Sequence, residues 1–361
     1  MEQWRIIDLD YKEPLIAQTF YEAVAESVHR DQSPNTLILT QPDRPYACIG
    51  YHQDIEKELD LQYLEQEGLP TIRRSQGGGA TYLDNKQVFY QAVFKNSEVI
   101  PRKIDSMFKT LLNVTVQTYR TLGVPARYKS LNDVTVNNRK ISGNGAGQHE
   151  TSSILVGNII LDLNYTLMAR VLKVPDEKFR DKMANSMQQW VTTLTRELEN
   201  PPTTKQVKEV YKNAFSKTLE IELTPSEPTE QEWNIYNTET KPRHTSHEWL
   251  YMEQNERNEN SRTVKIAHDI KLVEVDHKAG KLLRIRAELE KTTIRSIQIR
   301  GDFFIIPKEA ITILEERLQG AKLKPEENTP IVTQFYDSDI ELPGFKPKDI
   351  TTGIMKLREH T

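Results

Sequence analysis

Two short stretches concentrate the residue types that handle anions. Only 15 glycines serve the 361-residue chain, yet Gly77, Gly78 and Gly79 are consecutive, and Gly143, Gly145 and Gly147 alternate. Glycine is useful where the backbone must take unusual dihedrals or let a ligand approach its amides. A basic pair stands just upstream of each stretch, Arg73-Arg74 before the first and Arg139-Lys140 before the second. Amides exposed in a tight turn form a concavity for phosphate or carboxylate oxygens, and arginine or lysine adds direct charge. Together the stretches predict two anion-binding loops. For either one alone the competing reading is a surface turn flanked by solvated charges. Neither fits a familiar nucleotide motif: no GxxxxGK[ST] occurs, and the glycine triplet runs into ATYLD and a strand-like segment instead of opening a helix.

The elements that must position these loops read as mixed α/β. Trp4 to Leu9 is strand-like, and an amphipathic helix follows from about Pro14 to His29. Apolar residues recur at helical spacing from Ile104 to Leu122 and Gly123 follows them, which predicts a long core helix with a left-handed cap. Residues 154–163, ILVGNIILDL, form a nearly continuous branched apolar run, as expected of a strand buried on both faces at the sheet centre. From about 222 to 246 the composition turns to Pro, Glu, Thr and Asn, poor core material that predicts a connection between domains. Beyond it, starting near Glu248, alternation at Val264, Ile266, Ile270 and Leu272, and again at Leu283, Ile285, Ala287 and Leu289, predicts antiparallel strands joined across Asp276 to Gly280. A helix from about Lys308 to Gln319 should close on Gly320.

Composition narrows the function classes. Forty-eight basic and 52 acidic residues give a net charge of −4 and a pI near 6.1, so no general affinity for nucleic acid is expected and any basic site is local. The mean hydropathy is −0.63, and no apolar run is long enough to cross a bilayer. The single cysteine, Cys48, cannot form an internal disulfide, and MEQWRIIDLDYKEP lacks the features of a secretory signal, so the cytoplasm is the expected compartment. His244 and His247 form the only close histidine pair, with no cysteine nearby, and a metal cage of protein ligands is not expected.

The stretch RRSQGGGATYLD at 73–84, followed about fifty residues later by NDVTVNNRKISGNG at 132–145, resembles the signature of the lipoate-protein ligases. That family shares a fold with biotin-protein ligases and octanoyltransferases. PYACIGYHQ at 45–53, VGNIILDL at 156–163 and KMANSMQQWVTTL at 182–194 extend the resemblance, while HEWLYM near 247 and IRGDFF at 299–304 look like the accessory domain that some members carry. The resemblance implies an α+β fold: a mixed-sheet catalytic domain flanked by helices over 1–240, and a small α+β accessory domain over 241–361 acting as a movable cover.

The activity it implies has two steps. Lipoate and ATP give lipoyl-adenylate and pyrophosphate, and a lysine of an acceptor lipoyl domain then takes the lipoyl group as an amide. Carboxylate attack on the α-phosphate brings two anions together, so a cationic clamp must offset their repulsion. By its match to the family's lysine, Lys140 is the expected catalytic residue, touching the acyl carbonyl end and the α-phosphate. Arg74, Gly79, Ala80, Thr81 and Tyr82 match the nucleotide-contacting segment, with Gly77 and Gly78 letting the chain pass close to the ligand; Arg73 is the structural member of its pair. Ser142, Gly143 and Gly157 are expected beside the adenylate. Asn132 and Asp133 should orient Lys140 or the nucleotide, and Asp133 also fits a magnesium ion held between phosphates. Implied substrates are ATP with lipoate or octanoate. Implied acceptors are the acyltransferase (E2) subunit of a 2-oxoacid dehydrogenase, the H protein of glycine cleavage or a dedicated lipoyl carrier, with no nucleic-acid or membrane partner.

The chain departs from the family's pattern at three positions. Gln76 stands where serine or threonine is common, Leu83 where histidine is, and Val156 where a histidine precedes the strand glycine. Leu83 and Val156 cannot donate hydrogen bonds, so either other groups replace those contacts or the chain belongs to a branch with a differently built nucleotide pocket. Three other activities compete with ligation: ATP-independent octanoyl transfer through a cysteine, for which only Cys48 exists, upstream of the arginine-glycine motif; biotin ligation; and non-catalytic lipoyl binding.

Overall fold

The fold is described from a computed structural model, for residues 1–129, 131–174, 177–252, 263–267 and 270–360. The chain divides into two compact units, one formed by Met1–Ile49, Ile55–Ser75 and Ala80–Leu250, the other by Gly50–Asp54, Gln76–Gly79 and Tyr251–Thr361.

The strands of the first unit are β1 (Glu2–Lys12), β2 (Thr36–Pro42), β3 (Tyr46–Ile49), β4 (Thr71–Arg73), β5 (Thr81–Leu83), β6 (Gln87–Phe94), β7 (Arg127–Lys129), β8 (Asp133–Val136), β9 (Arg139–Ser142), β10 (Asn144–His149), β11 (Ser152–Ile160) and β12 (Ile221–Pro225). Six of them form one sheet in the order β10-β11-β6-β2-β1-β12. β1 runs parallel to both its neighbours and the remaining pairings are antiparallel, which makes the sheet mixed. Every residue of β2 and β6 is buried. The helix Pro14–His29 starts with proline in its first turn, where a missing N–H costs nothing, and lays Phe20, Val24 and Val28 on Ile7, Ile38, Val93 and Ile154. On Tyr90 of β6 stacks Tyr211 of the helix Thr204–Leu219, their ring centroids 4.5 Å apart. The helix Ile104–Thr121 ends as its sequence predicts, with Gly123 at φ +91°.

Two expectations are corrected in this unit. The apolar run of β11 lies one strand in from the edge, not at the centre, which is held by β6 and β2. A continuous apolar run requires only that both faces be covered, and covered faces do not require a central place. The segment 222–246 is no connection. It supplies the edge strand β12, the helix Glu230–Ile235 with a Thr229/Glu232 capping box, a π-helical turn at Tyr236–Thr240 and the helix Lys241–Thr245. Ile235 and Tyr236 pack in the same core as Phe20. Its acidic residues looked unfit for a core, but Glu232 is buried with Arg5 and Ser33 as partners.

The second unit holds an antiparallel sheet in chain order, β13 (Thr263–Ala267), β14 (Ile270–Ala279), β15 (Lys281–Glu290) and β16 (Thr293–Gly301). Val273, Leu283, Ile285, Ala287, Leu289 and Ile299 pack on the helices Ala310–Leu318, Pro325–Tyr336 and Pro347–Lys356. The side chains of Val264 and Ile266 lie outside the described residues. Pairing continues through Asp276 to Ala279 opposite Lys281, so the hairpin turn is tighter than the span Asp276 to Gly280 and rests on Gly280 at φ +90°. Gly320, at φ +82°, follows the helix Ala310–Leu318. Among the described residues no helix is long and apolar enough to cross a membrane.

Candidate functional site

β8 and β9 form a hairpin closed by Asn137 and Asn138, both left-handed at φ +48° and +64°. A two-residue loop of this kind needs positive φ at both positions, which asparagine tolerates better than most side chains. The hairpin, continued by β7 as the sheet β7-β8-β9, places Asp133 and Lys140 together, with Lys140 Nζ 2.8 Å from Asp133 Oδ1 and the two side chains 38% and 34% exposed. The backbone on either side is fixed. The Lys140 carbonyl accepts from the Thr192 N–H at 2.8 Å, and the Ile141 carbonyl accepts from Tyr119 Oη at 2.5 Å. The result is a reachable ammonium on a rigid strand, able to leave one carboxylate for an incoming anion.

Beneath it lies a buried polar frame. Asn132 Nδ2 donates to the Asn144 carbonyl at 2.6 Å and Asn144 Nδ2 to the Asn132 carbonyl at 3.0 Å. Tyr90 Oη donates to Asn144 Oδ1 and accepts from Thr115 Oγ1; burial pushes the tyrosine pKa up to about 12. Ser142 Oγ donates to the Asn158 carbonyl at 2.7 Å, and the Gly143 N–H donates to Asn158 Oδ1 at 2.7 Å. Ser142 and Gly143, expected beside a ligand, therefore have their polar atoms engaged within the fold. Gly145 and Gly147 are not in a loop either, since both sit on β10, paired with Val156 and Ile154.

Gly157 was expected to leave room for a ligand, and that room is filled. A Cβ there would lie 2.2 Å from Asn144 Oδ1 and 2.4 Å from the Tyr90 hydroxyl. Gly157→Ala should cost about 2–3 kcal/mol by overpacking, roughly 5–10 °C in Tm. A thermal melt within a degree of the wild type would contradict this.

A second group of predicted residues gathers on the small sheet β4-β3-β5. Thr81 and Tyr82 pair with Cys48 and Ala47, and the Arg74 N–H donates to the Ile49 carbonyl at 3.0 Å. Ala80 directly precedes β5. Tyr82 Oη donates to Asp84, and burial together with that carboxylate holds the phenol far above its ordinary range. Leu83, one of the departures from the family pattern, is a packing residue, buried with Tyr46, Cys48 and Phe89. Cys48 is fully buried, and burial raises its thiol pKa despite Arg74, whose Nη1 lies 3.5 Å from the sulfur.

The glycine triplet belongs to the second unit. There the Gly78 N–H donates to the Phe303 carbonyl at 3.2 Å, and a Cβ on Gly77 would fall 1.9 Å from that oxygen. Gly77 and Gly78 thus allow close backbone approach to Phe303, while a Cβ on Gly79 would meet nothing within 4 Å. The second unit also has a cleft lined by Asp54, Glu274, Arg284, Arg286 and Arg300, but these arginines meet Asp276, Glu274 and Glu315 at 3.2, 2.9 and 3.1 Å. Among the described residues no three of His, Cys, Asp and Glu come together as metal ligands.

One cluster escaped the sequence reading. Buried Glu22 accepts from Ser75 Oγ at 2.6 Å, from His244 Nε2 at 3.0 Å, and from Arg243. His244 Nδ1 lies 2.9 Å from the Arg73 carbonyl, which also accepts from Trp249 Nε1 at 2.9 Å, and Arg73 Nε donates to the Leu250 carbonyl at 2.9 Å. Arg73 is fully buried, the structural member of its pair, and residues 243–250 brace the 73–75 segment within this unit. No local pattern signals this, because Glu22 and Ser75 stand 53 residues apart and the other partners more than 160.

A sequence model of the lipoyl protein ligase A/B catalytic domain matches residues 13–216. Lipoate-protein ligase A subunit 1 of Thermoplasma acidophilum is 30% identical over 238 residues, covering 63% of this chain and 88% of that relative. Octanoyltransferase LipM of Brevibacillus brevis is 24% identical over 272 residues, covering 69% and 99%. The structure of P. falciparum LipL1 in complex with lipoate shares the fold, with a TM-score of 0.68 at 14% identity over 98% of this chain and 99% of its own. Since the matched domain takes in the Lys140 hairpin, its buried frame and the Cys48 sheet, the chain belongs to the lipoyl protein ligase A/B family of lipoate ligases and octanoyltransferases.

Proposed function

We propose that the chain is an ATP-dependent lipoate-protein ligase. The lipoate carboxylate attacks the α-phosphorus of ATP and pyrophosphate leaves; the ε-amine of an acceptor lysine then attacks the acyl carbon, AMP leaves and the amine gives up a proton. Lys140 offsets the charge of the two anions in the first step and polarises the mixed anhydride in the second. Arg74, Ala80, Thr81, Tyr82 and the 77–79 glycines are the proposed nucleotide segment, and Asn132 fixes the strand that presents Asp133. Magnesium usually binds through one or two carboxylates plus substrate phosphates and water, and Asp133 offers one such carboxylate. When bound, the ion would neutralise phosphate charge.

The observation that favours ligation over the transferase chemistry of LipM is Cys48. Acyl transfer through a thioester needs a thiolate, and the only cysteine is fully buried with its pKa raised. Cys48→Ser should therefore keep at least about half of the wild-type rate, as a near-isosteric change at a packing site. Mass spectrometry of apo acceptors incubated with enzyme, lipoate or octanoate, magnesium and ATP should show one acyl group gained on one lysine. Modification without ATP that Cys48→Ser abolishes would replace this reading with octanoyl transfer.

A further inference from the structure

We propose that the outer face of the β7-β8-β9 sheet, with Trp190 at its rim, is the surface on which the acceptor protein docks, and that it selects an acceptor whose face around the target lysine is acidic. The proposal rests on the ligase reading and carries its own readout.

Strand register defines the face for β7 and β8, and the Lys140–Asp133 ion pair assigns Lys140 to it across a bulge between Val134 and Thr135. Arg127 pairs with Thr135, Thr135 with Lys140, and Lys129 with Asp133. Residues paired across strands, and residues two apart along one strand, point to the same side. The opposite side carries Val134, Val136 and Ile141, all buried. The outer side thus presents Arg127, Lys129 and Lys140 against one acid, Asp133. Arg127 and Lys129 are exposed and make no ion pair among the described residues.

The row continues past Lys140 to Val191, which bridges it in parallel, and Trp190 immediately precedes. Trp190 is 65% exposed on a fixed backbone, because Arg196 Nη1 donates to the Gln188 and Val191 carbonyls at 2.7 and 2.9 Å and Tyr165 Oη to the latter at 3.1 Å. An indole held out from a rigid backbone is the kind of side chain that anchors protein contacts.

Adjacent strands are about 4.8 Å apart, so Arg127 stands roughly 10 Å from Lys140 on one side, with Trp190 on the other. A standard interface of about 800 Å² per partner, centred where the target lysine must arrive, covers all of these residues. Because the whole chain carries a net charge of −4, an acidic partner gains orientation from this local cationic face.

The test uses full-length protein carrying Arg127→Glu with Lys129→Glu, and separately Trp190→Ala. Three rates are compared with wild type: pyrophosphate release with lipoate and ATP, capture of the acyl group by hydroxylamine, and acylation of an apo lipoyl domain. Binding of that domain by titration calorimetry is measured alongside. The first two rates should stay within twofold, while the acceptor KM rises at least tenfold in the double variant, with a shallower salt dependence, and severalfold in Trp190→Ala. Reversing acidic residues beside the acceptor lysine should restore the double variant. An unchanged acceptor KM overturns the proposal, as does a parallel loss of pyrophosphate release, which would assign the face to the nucleotide phosphates. A wild type that releases no pyrophosphate defeats the ligase reading instead; the calorimetry then decides the docking face, which fails if wild type and double variant bind the domain equally.

Discussion

Lys140→Ala is expected to lower lipoyl-adenylate formation by about a hundredfold or more, a loss of roughly 3 kcal/mol comparable to removing one transition-state donor. Stability should hardly change. The ion pair that Lys140 makes with Asp133 is more than one third exposed, and exposed pairs contribute about 0–1 kcal/mol. The strand keeps its place without the side chain, because Thr192 and Tyr119 hold the Lys140 and Ile141 carbonyls through the backbone. Tm should therefore stay within about 3 °C of the wild type. Lys140→Arg keeps the charge but replaces a compact ammonium by a planar fork, and should recover only part of the rate. Pyrophosphate exchange with lipoate measures both variants. Near-normal exchange in Lys140→Ala would remove the lysine from the chemistry, and a large fall in Tm would show that the residue serves the fold instead.

The same contrast separates what the sequence discloses from what it hides. Periodicity and end signals act locally, so the helix Pro14–His29 and the cap at Gly123 are legible from neighbouring residues. The pairing of Lys140 with Asp133 is also nearly local, seven positions apart across a turn whose two asparagines stand in the sequence. What a glycine is for is another matter. Gly143, Gly77 and Gly157 look alike as letters, yet the first has its amide on Asn158, the second lies against the Phe303 carbonyl, and the third makes way for Tyr90 and Asn144. Each answer depends on a chain segment from elsewhere in the sequence. The 222–246 segment misleads for the same reason: its acids read as solvated until Arg5, Ser33 and the capped helix end appear beside Glu232.

Glu22→Gln should destabilise the first unit by about 3 kcal/mol, because removing one partner of a buried charge cluster leaves the others without compensation. Burial alone would raise the Glu22 pKa, but the charges of His244 and Arg243, with hydrogen bonds from His244 and Ser75, outweigh it and carry the carboxyl far below its ordinary 4.5. Both ring nitrogens of His244 face oxygen atoms, those of the Arg73 carbonyl and Glu22. The sign follows from the lowered folded-state pKa. The stabilisation is fully present above 4.5 and is lost as the pH falls from there toward the folded-state value. Glutamine has no such titration. The stability gap between wild type and Glu22→Gln should thus shrink by about 2 kcal/mol between about pH 5 and pH 3, at 1.36 kcal/mol per pH unit. Urea unfolding at several pH values, followed by tryptophan fluorescence, measures the gap in the first unit, which holds all four tryptophans. A gap that stays constant to pH 3 would show that the energy lies in shape and hydrogen bonding and not in the charge. If the gap closes as expected, the residues that resembled a linker are, through Arg243 and His244, an electrostatic brace on the segment that carries Arg73 and Arg74.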